Sequence, residues 1–362
     1  MLINTKSPHG GDVYFEYAAH DFSANVNPYG TPEPVRDAIV AAVDCCAAYP
    51  DPYCTLLRAR LARHEGIDAD MILCANGAAE LIYQFAYALD VRRPALIVSP
   101  AFIEYEAALR AADIPFERVY LKAVSGFVPD DGLLALDFAR YSAVFLCTPN
   151  NPTGVTVSAR LLGRLAARCM EAGTRLFCDL CFLNLSDTPD MYAVPQLLAD
   201  FPRLFLLRAF TKSYGMAGVR LGYMMSGDRE FLARMSKKVQ CWNVSTLAQA
   251  AGCAALDCGA WLSDTRAKII AERGRLSGAL EKMDLTVYRS EANYLLIYSK
   301  VPLAKLLHAR GILVRDCANY AGLKRGYIRI GVRQPEENDL LIDAVREICG
   351  SFCGNQEKEK PS

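Results

Sequence analysis

Three segments of the 362-residue chain carry polar residues where a buried strand would end: Cys147-Thr-Pro-Asn-Asn-Pro-Thr-Gly154, Cys178-Asp179 and Arg208-Ala-Phe-Thr-Lys212. Ligands of open α/β sheets bind beyond the carboxyl ends of the strands, so a lysine, an aspartate and an asparagine are expected to meet in one site. That trio has a specific chemical use. Pyridoxal phosphate needs a lysine to bond its aldehyde carbon, a carboxylate to keep its pyridine nitrogen protonated so that the ring accepts electrons, and donors for its phenolate oxygen. Its phosphate needs an anion site as well. Asn76-Gly77-Ala78-Ala79-Glu80 precedes an amphipathic pattern through Leu81, Ile82, Phe85 and Leu89, so small residues open a helix N-terminus whose amides and dipole favour a phosphate. Arg220, beyond the Gly215/Gly218 loop, can add charge-assisted hydrogen bonds.

The elements that must position these residues are legible as patterns. From about residue 70, short apolar runs alternate with longer helical ones: Ala95–Val98, Ala143–Cys147, Leu176–Cys178, Leu204–Leu207 and Leu221–Met225. Runs apolar on both faces are expected of central strands in a mostly parallel sheet covered by helices. Beyond about residue 240 the texture changes to a long helical region, Leu247 to Leu280, followed by Leu285–Tyr298, Ile312–Val314 and Tyr327–Val332, and by a final helix from Glu336 to Ile348. These segments predict a smaller α+β domain. The expected division is a large domain over 26–240, a small domain from 1–25 and 241–350, and a disordered tail over 351–362, whose polar ending cannot bury itself.

Composition narrows the partners. Hydrophobic residues make up 52% and charged residues 22%, and forty basic residues balance forty acidic ones with no Lys/Arg block. Nucleic acid and membrane surfaces therefore have no electrostatic support as partners, and a small molecule is expected. Met1 to Gly11 lacks the apolar run of a secretion signal and no 18-residue apolar stretch occurs, so a soluble cytoplasmic protein is expected. The cysteines are scattered through apolar segments and read as reduced thiols. Cys178 and Cys181 form a single C-x-x-C with no second pair, so no metal site is expected.

The segment Arg208 to Tyr223, together with Asn-Asn-Pro-Thr-Gly at 150–154, resembles fold-type I pyridoxal-phosphate enzymes of the class I/II aminotransferase superfamily. Within it, His9-Gly-Gly-Asp12, Asp21-Phe-Ser-Ala-Asn25 with Asn27-Pro28, Tyr49-Pro-Asp51 and Arg315-Asp-Cys-Ala-Asn-Tyr-Ala-Gly-Leu323 are similar to the threonine-phosphate decarboxylases of cobalamin biosynthesis, relatives of histidinol-phosphate aminotransferases. The resemblance covers residues 9 to about 348. It implies that Lys212 bonds the cofactor, Asp179 pairs with the pyridinium, Asn151 donates to the phenolate oxygen and Phe102 stacks on the ring. Gly77, Ala78, Ala79, Thr211 and Arg220 would hold the cofactor phosphate, and Tyr49 would reach the phosphate of a neighbouring subunit, which implies a homodimer. Substrate contacts fall on His9, Asn25, Arg315 and Arg329, which suits a doubly anionic phosphorylated amino acid, because the guanidinium fork matches carboxylate and phosphate. Arg333 is a further candidate, two pleats along the strand expected to carry Arg329.

The implied reaction is decarboxylation of an O-phospho-L-amino acid, above all L-threonine phosphate to (R)-1-amino-2-propanol phosphate and carbon dioxide. Phosphoserine decarboxylation and a histidinol-phosphate type of transamination are the alternatives. Three departures from the family pattern stand out. Ala209 replaces the usual Ser or Thr, Asp179-Leu180-Cys181-Phe182 replaces Asp-Glu-Ala-Phe/Tyr, and the Asp12–His20 segment that would shape a lid is short.

Overall fold

The computed structural model describes residues 9–13 and 18–358, with side chains as far as Ser351. Residues 14–17, inside the short segment expected to shape a lid, and residues 359–362, in the expected tail, lie outside the described residues. After a two-residue strand, β1 (His20–Asp21), seven strands build the main sheet: β2 (Ile72–Ala75), β3 (Ala95–Ser99), β4 (Phe116–Tyr120), β5 (Ala143–Cys147), β6 (Arg175–Asp179), β7 (Leu204–Ala209) and β8 (Gly222–Ser226). Their order is β2-β8-β7-β6-β5-β3-β4. All neighbours are parallel except β8, which runs antiparallel to both β2 and β7. Every apolar run expected to be a strand of this sheet is one.

The runs are apolar throughout because both faces are covered. Along β5, Val144 and Leu146 enter one core while Ala143, Phe145 and Cys147 enter the other, and β6 and β7 alternate in the same way. The helix Ala78–Ala88 supplies Leu81, Ile82 and Phe85 to the second core, where Phe85 packs edge-on against Phe145, Phe177 and Phe205. Residues 147, 179 and 209 share this face at the carboxyl ends of three adjacent strands. Chain order also reverses between β3 and β5, since β4 lies on one side of β3 and β5 on the other, and a crevice opens at such a switch point.

The smaller domain contains β9 (Thr286–Val287), β10 (Tyr294–Tyr298), β11 (Ile312–Leu313), β12 (Arg315–Asp316) and β13 (Tyr327–Gly331). Four of these form an antiparallel sheet in the order β12-β13-β10-β9, and β11 pairs in parallel with β1. Phe22, fully buried, joins Leu276, Leu295, Ile328 and Val345 in its core, so the N-terminal segment packs with the C-terminal one.

Three boundaries differ from the sequence expectation. The helical region after 240 is two helices, Thr246–Ala255 and Gly259–Glu281, and the first of them packs into the main core through Ala248 and Ala251. Leu262 and Ile269 belong to the main core, whereas Leu276 and Leu280 belong to the small one, so the changeover falls inside the second helix rather than at 240. An amphipathic pattern shows that a helix has a buried face but not which core receives it. The final helix runs from Pro335 to Lys358, past the boundary at 351 expected for the tail.

Candidate active site

A cavity of about 240 Å³ lies between the carboxyl ends of β5, β6 and β7, the N-terminus of helix Ala78–Ala88 and the strands β12 and β13. Lys212, Asp179 and Asn151 all face it, as do Ala78, Ala79, Phe102, Thr211 and Arg220 from the main domain. His9, Asn25, Arg315 and Arg329 line the other side. The register explains the convergence: Cys147 pairs with Asp179 across β5–β6, and β7 ends one residue before the short helix Phe210–Ser213 that carries Lys212.

Asp179 is buried and fully engaged on its inner side. Its Oδ2 accepts from the Tyr105 hydroxyl at 2.6 Å and its Oδ1 from the Cys181 amide at 2.9 Å. Burial raises its pKa, and the bonds from Cys181 and Tyr105 and the charge of Lys212 oppose the rise. A carboxylate in this setting is best satisfied by a cationic N–H facing it from the cavity. Tyr105 carries no sequence signal of its role. It reads as the apolar face of a helix, and its contact with Asp179 spans 74 positions.

Lys212 is held in place through its backbone, since the Asn27 amide donates to the Lys212 carbonyl at 2.9 Å and Asn27 Nδ2 donates to the Ser213 carbonyl at 3.0 Å. Its pKa is lowered to about 8, first by desolvation and then by the nearby positive charges of Arg329 and Arg220, with Cys181 and Asp179 acting in the opposite sense. About a tenth of the amine is therefore neutral and nucleophilic at pH 7, far more than of an ordinary lysine. Capture of pyridoxal phosphate by cofactor-free protein should accelerate about tenfold per pH unit below pH 8 and level off above it, because only the neutral amine attacks an aldehyde. Stopped-flow absorbance between pH 6 and 9.5 checks this, and a rate independent of pH would refute it.

The asparagine is oriented by its neighbours. A guanidinium only donates, so Arg329 Nη1 at 2.5 Å and the Tyr320 hydroxyl at 3.3 Å place the Asn151 Oδ1 toward themselves and leave Nδ2 as the donor on the other side. Arg329 also donates from Nη2 to the Ser23 carbonyl at 2.7 Å, and the Asn25 amide, with its oxygen turned toward the guanidinium, accepts from Nε at 3.1 Å. Directly opposite Arg329 in the β12–β13 register stands Arg315, whose Nη2 donates to Asn319 Oδ1 at 2.7 Å. His9 pairs through Nε2 with Glu104 at 2.7 Å, which secures the N-terminal segment beside Phe102.

At the helix N-terminus expected to take a phosphate, Gly77 caps the helix Ala78–Ala88 at φ +86°, and a Cβ there would lie 2.5 Å from Arg220 Nη2. A Cβ at Gly222 would lie 2.7 Å from the Ala78 amide nitrogen. Glycine at both positions lets strand, helix N-terminus and guanidinium crowd together into an anion cradle. Gly77 itself shapes this cradle without lining the cavity. Ala209 does line it, as the N-cap of helix Phe210–Ser213 with no side-chain cap. Ala209→Ser should restore a hydroxyl to the cradle and tighten cofactor binding about fivefold, the equivalent of about 1 kcal/mol. Equilibrium titration of both proteins with the cofactor measures the difference, and weaker binding by the serine variant would contradict it.

Besides Gly77, two expected site residues fall outside the cavity lining. Arg333 lies past the end of β13, where its Nε faces Glu337 at 3.4 Å and its amide donates to Asn338, so the strand expected to align it with Arg329 stops too soon. Tyr49 is 78% exposed and stacks on Trp242 with ring centroids 4.2 Å apart. The C-x-x-C pair divides between faces: Cys181 lines the cavity, whereas Cys178 is packed in the opposite core.

A lysine, a buried carboxylate and an oriented amide at adjacent strand ends, with an anion cradle on a helix N-terminus, define a pyridoxal-phosphate site of fold type I. The donor set fits the cofactor: its charges, its phosphate and its ring each find a matching group. The family model for aminotransferases of class I and II matches residues 19–345. The chain is 37% identical to threonine-phosphate decarboxylase of Salmonella typhimurium over 91% of this chain and 90% of that one. It is 33% identical to histidinol-phosphate aminotransferase 2 of Archaeoglobus fulgidus over 91% and 92% of the two chains. Among solved structures, L-threonine-O-3-phosphate decarboxylase of Porphyromonas gingivalis superposes with a TM-score of 0.81 at 26% identity, covering 91% of this chain and 99% of that one. The chain belongs to the aminotransferase class I and II family, and it is a pyridoxal-phosphate enzyme.

Proposed function

We propose that this enzyme decarboxylates an O-phospho-L-amino acid, L-threonine phosphate above all, giving (R)-1-amino-2-propanol phosphate and carbon dioxide in cobalamin biosynthesis. The observation that carries this reading is the pair of buried arginines, Arg315 and Arg329, facing each other across β12–β13 and both reaching the cavity that holds Lys212. Two guanidinium groups suit a substrate with two anionic ends, and the similarity to threonine-phosphate decarboxylases points the same way. Arg315, with His9 and Asn25, takes the phosphate, and Arg329 takes the carboxylate.

When bound, pyridoxal phosphate supplies an electron sink for a bond broken at the substrate's α-carbon. Asp179 would hold its pyridine N–H, Asn151 its phenolate oxygen, and Ala78, Ala79, Thr211 and Arg220 its phosphate, with Phe102 against the ring. The arginines select the bond by fixing the pose of the substrate. Lys212, with its lowered pKa, can return a proton to the α-carbon after the carboxylate has left.

A histidinol-phosphate type of transamination is the second reading, favoured by the relative from Archaeoglobus fulgidus. Incubation with threonine phosphate, serine phosphate and histidinol phosphate separates the two. Carbon dioxide release without 2-oxoglutarate supports decarboxylation, and 2-oxoglutarate-dependent glutamate formation overturns it.

The working unit in this proposal is a cytoplasmic homodimer in which Tyr49 reaches the neighbouring site. Tyr49, Tyr53, Leu56, Val43 and Trp242 are all exposed, and this much apolar surface on neighbouring segments is expected to be covered by a second copy. Among the described residues no helix is long and apolar enough to cross a membrane. Sedimentation should give twice the chain mass, and Tyr49→Ala should weaken cofactor binding; a monomer with full affinity for the cofactor would refute the arrangement.

A further inference from the structure

We infer that Tyr320 is a positioning residue that couples the substrate arginine to the cofactor asparagine. The inference rests on the pyridoxal-phosphate reading above and goes beyond it to a side chain with no assigned role. Tyr320 is 3% exposed and lines the cavity between the two groups. Its hydroxyl donates to Asn151 Oδ1 at 3.3 Å, and the Arg315 guanidinium carbon lies 5.1 Å from its ring centroid. One rigid aromatic therefore touches a residue of the cofactor set with its tip and a residue of the substrate set with its face.

The two contacts do different things. Asn151 Oδ1 has two donors, Arg329 and Tyr320, and together they decide which end of the amide turns away from them. Losing the hydroxyl leaves the orientation to Arg329 alone, which is also the group that a substrate carboxylate would recruit. The hydroxyl thus keeps the Asn151 N–H pointed at the cofactor while Arg329 is engaged elsewhere. The ring provides a cation–π face that holds Arg315 against solvent, alongside its bond to Asn319. The turn that carries the ring is itself fixed, since the Tyr320 amide donates to the Cys317 carbonyl at 3.0 Å and the Leu323 amide to the Tyr320 carbonyl at 3.0 Å.

Phenylalanine keeps the ring and removes the hydroxyl, whereas leucine removes both, so the pair separates the two contacts. The visible spectrum of holoenzyme is titrated with pH in wild type, Tyr320→Phe and Tyr320→Leu, and kcat and KM are measured on threonine phosphate. An N–H donated to the phenolate oxygen favours its deprotonated form, so Tyr320→Phe should raise the midpoint of the spectral titration by about half a pH unit. Its kcat should fall several-fold, with KM changing less than twofold. Tyr320→Leu should show the same spectral shift and, in addition, a KM raised about five- to tenfold, in keeping with the loss of a desolvated cation–π contact. A Tyr320→Phe midpoint equal to that of wild type overturns the inference, as does an equal rise in KM in both variants. If wild-type protein itself shows no visible cofactor band, the pyridoxal-phosphate reading fails instead, so the two failures are distinguishable.

Discussion

Lys212→Ala protein should retain its fold, lose the visible absorption band of lysine-linked cofactor, and turn over threonine phosphate about ten-thousand-fold more slowly. In the proposed mechanism two contributions are removed together: the bond to the cofactor and the general acid that would return a proton to the α-carbon, the latter alone being a factor of about 10² to 10⁴. The backbone contacts from Asn27 that fix the short helix do not involve the side chain, so they survive the substitution. Stability should not suffer either. The pKa of Lys212 is depressed to about 8, which means the folded protein disfavours the ammonium relative to the unfolded chain. That penalty is fully present below pH 8 and fades as pH rises toward the ordinary lysine value of about 10.4, so at pH 7 cofactor-free Lys212→Ala should melt at or above the wild-type temperature. Absorption spectra and thermal melts of the two proteins test both halves. An unchanged lysine-linked spectrum would remove Lys212 from the mechanism, and a large drop in melting temperature would make the activity loss uninterpretable as chemistry and contradict the charge argument.

Arg315→Ala should lower kcat/KM for threonine phosphate by about 2 to 4 kcal/mol, equivalent to about 30- to 1,000-fold, while leaving the slow rate on free threonine nearly as it was. Arg315 is 9% exposed, held by Asn319 and the Tyr320 ring, so its side chain is already ordered before an anion arrives. A preorganised guanidinium loses little conformational entropy on binding, and removing it leaves the phosphate facing His9 and Asn25 without its main counter-charge. Arg329 does not substitute, because in this arrangement it takes the substrate's carboxylate and is anchored by donating to Asn151, Asn25 and the Ser23 carbonyl. Measurement on both substrates is decisive. Equal losses would mean that Arg315 serves the carboxylate or the fold, and that the two arginines exchange the roles given to them above.

How far the chain could be read without its structure follows from the range of the interactions involved. Lys212, Asp179 and Asn151 were recognisable because each stands where a short apolar run gives way to polar residues, a signal contained within about six positions. The helix N-terminus at Ala78 was legible for the same reason, since Gly77-Ala78-Ala79 before an amphipathic run is a local mark of one. The sequence also determined the five inner strands of the main sheet, whose double-sided apolarity requires cover on both faces, but not the edge strands β2 and β4, of which β4 is only half-buried and shows no continuous apolar run.

Only the tertiary structure decided which groups hold those residues in working order. Tyr105 against Asp179, Glu104 against His9 and Tyr320 against Asn151 join elements 74, 95 and 169 positions apart. No periodicity encodes such pairs, because a tyrosine on an apolar helix face or in a turn looks alike whether its hydroxyl meets water or a carboxylate. The reversal of β8, the switch of cores within helix Gly259–Glu281 and the exclusion of Arg333 from the cavity are of the same kind. Each depends on where a strand or helix stops and on what lies beside it, and those are settled by packing between distant segments rather than by the residues of the segment itself.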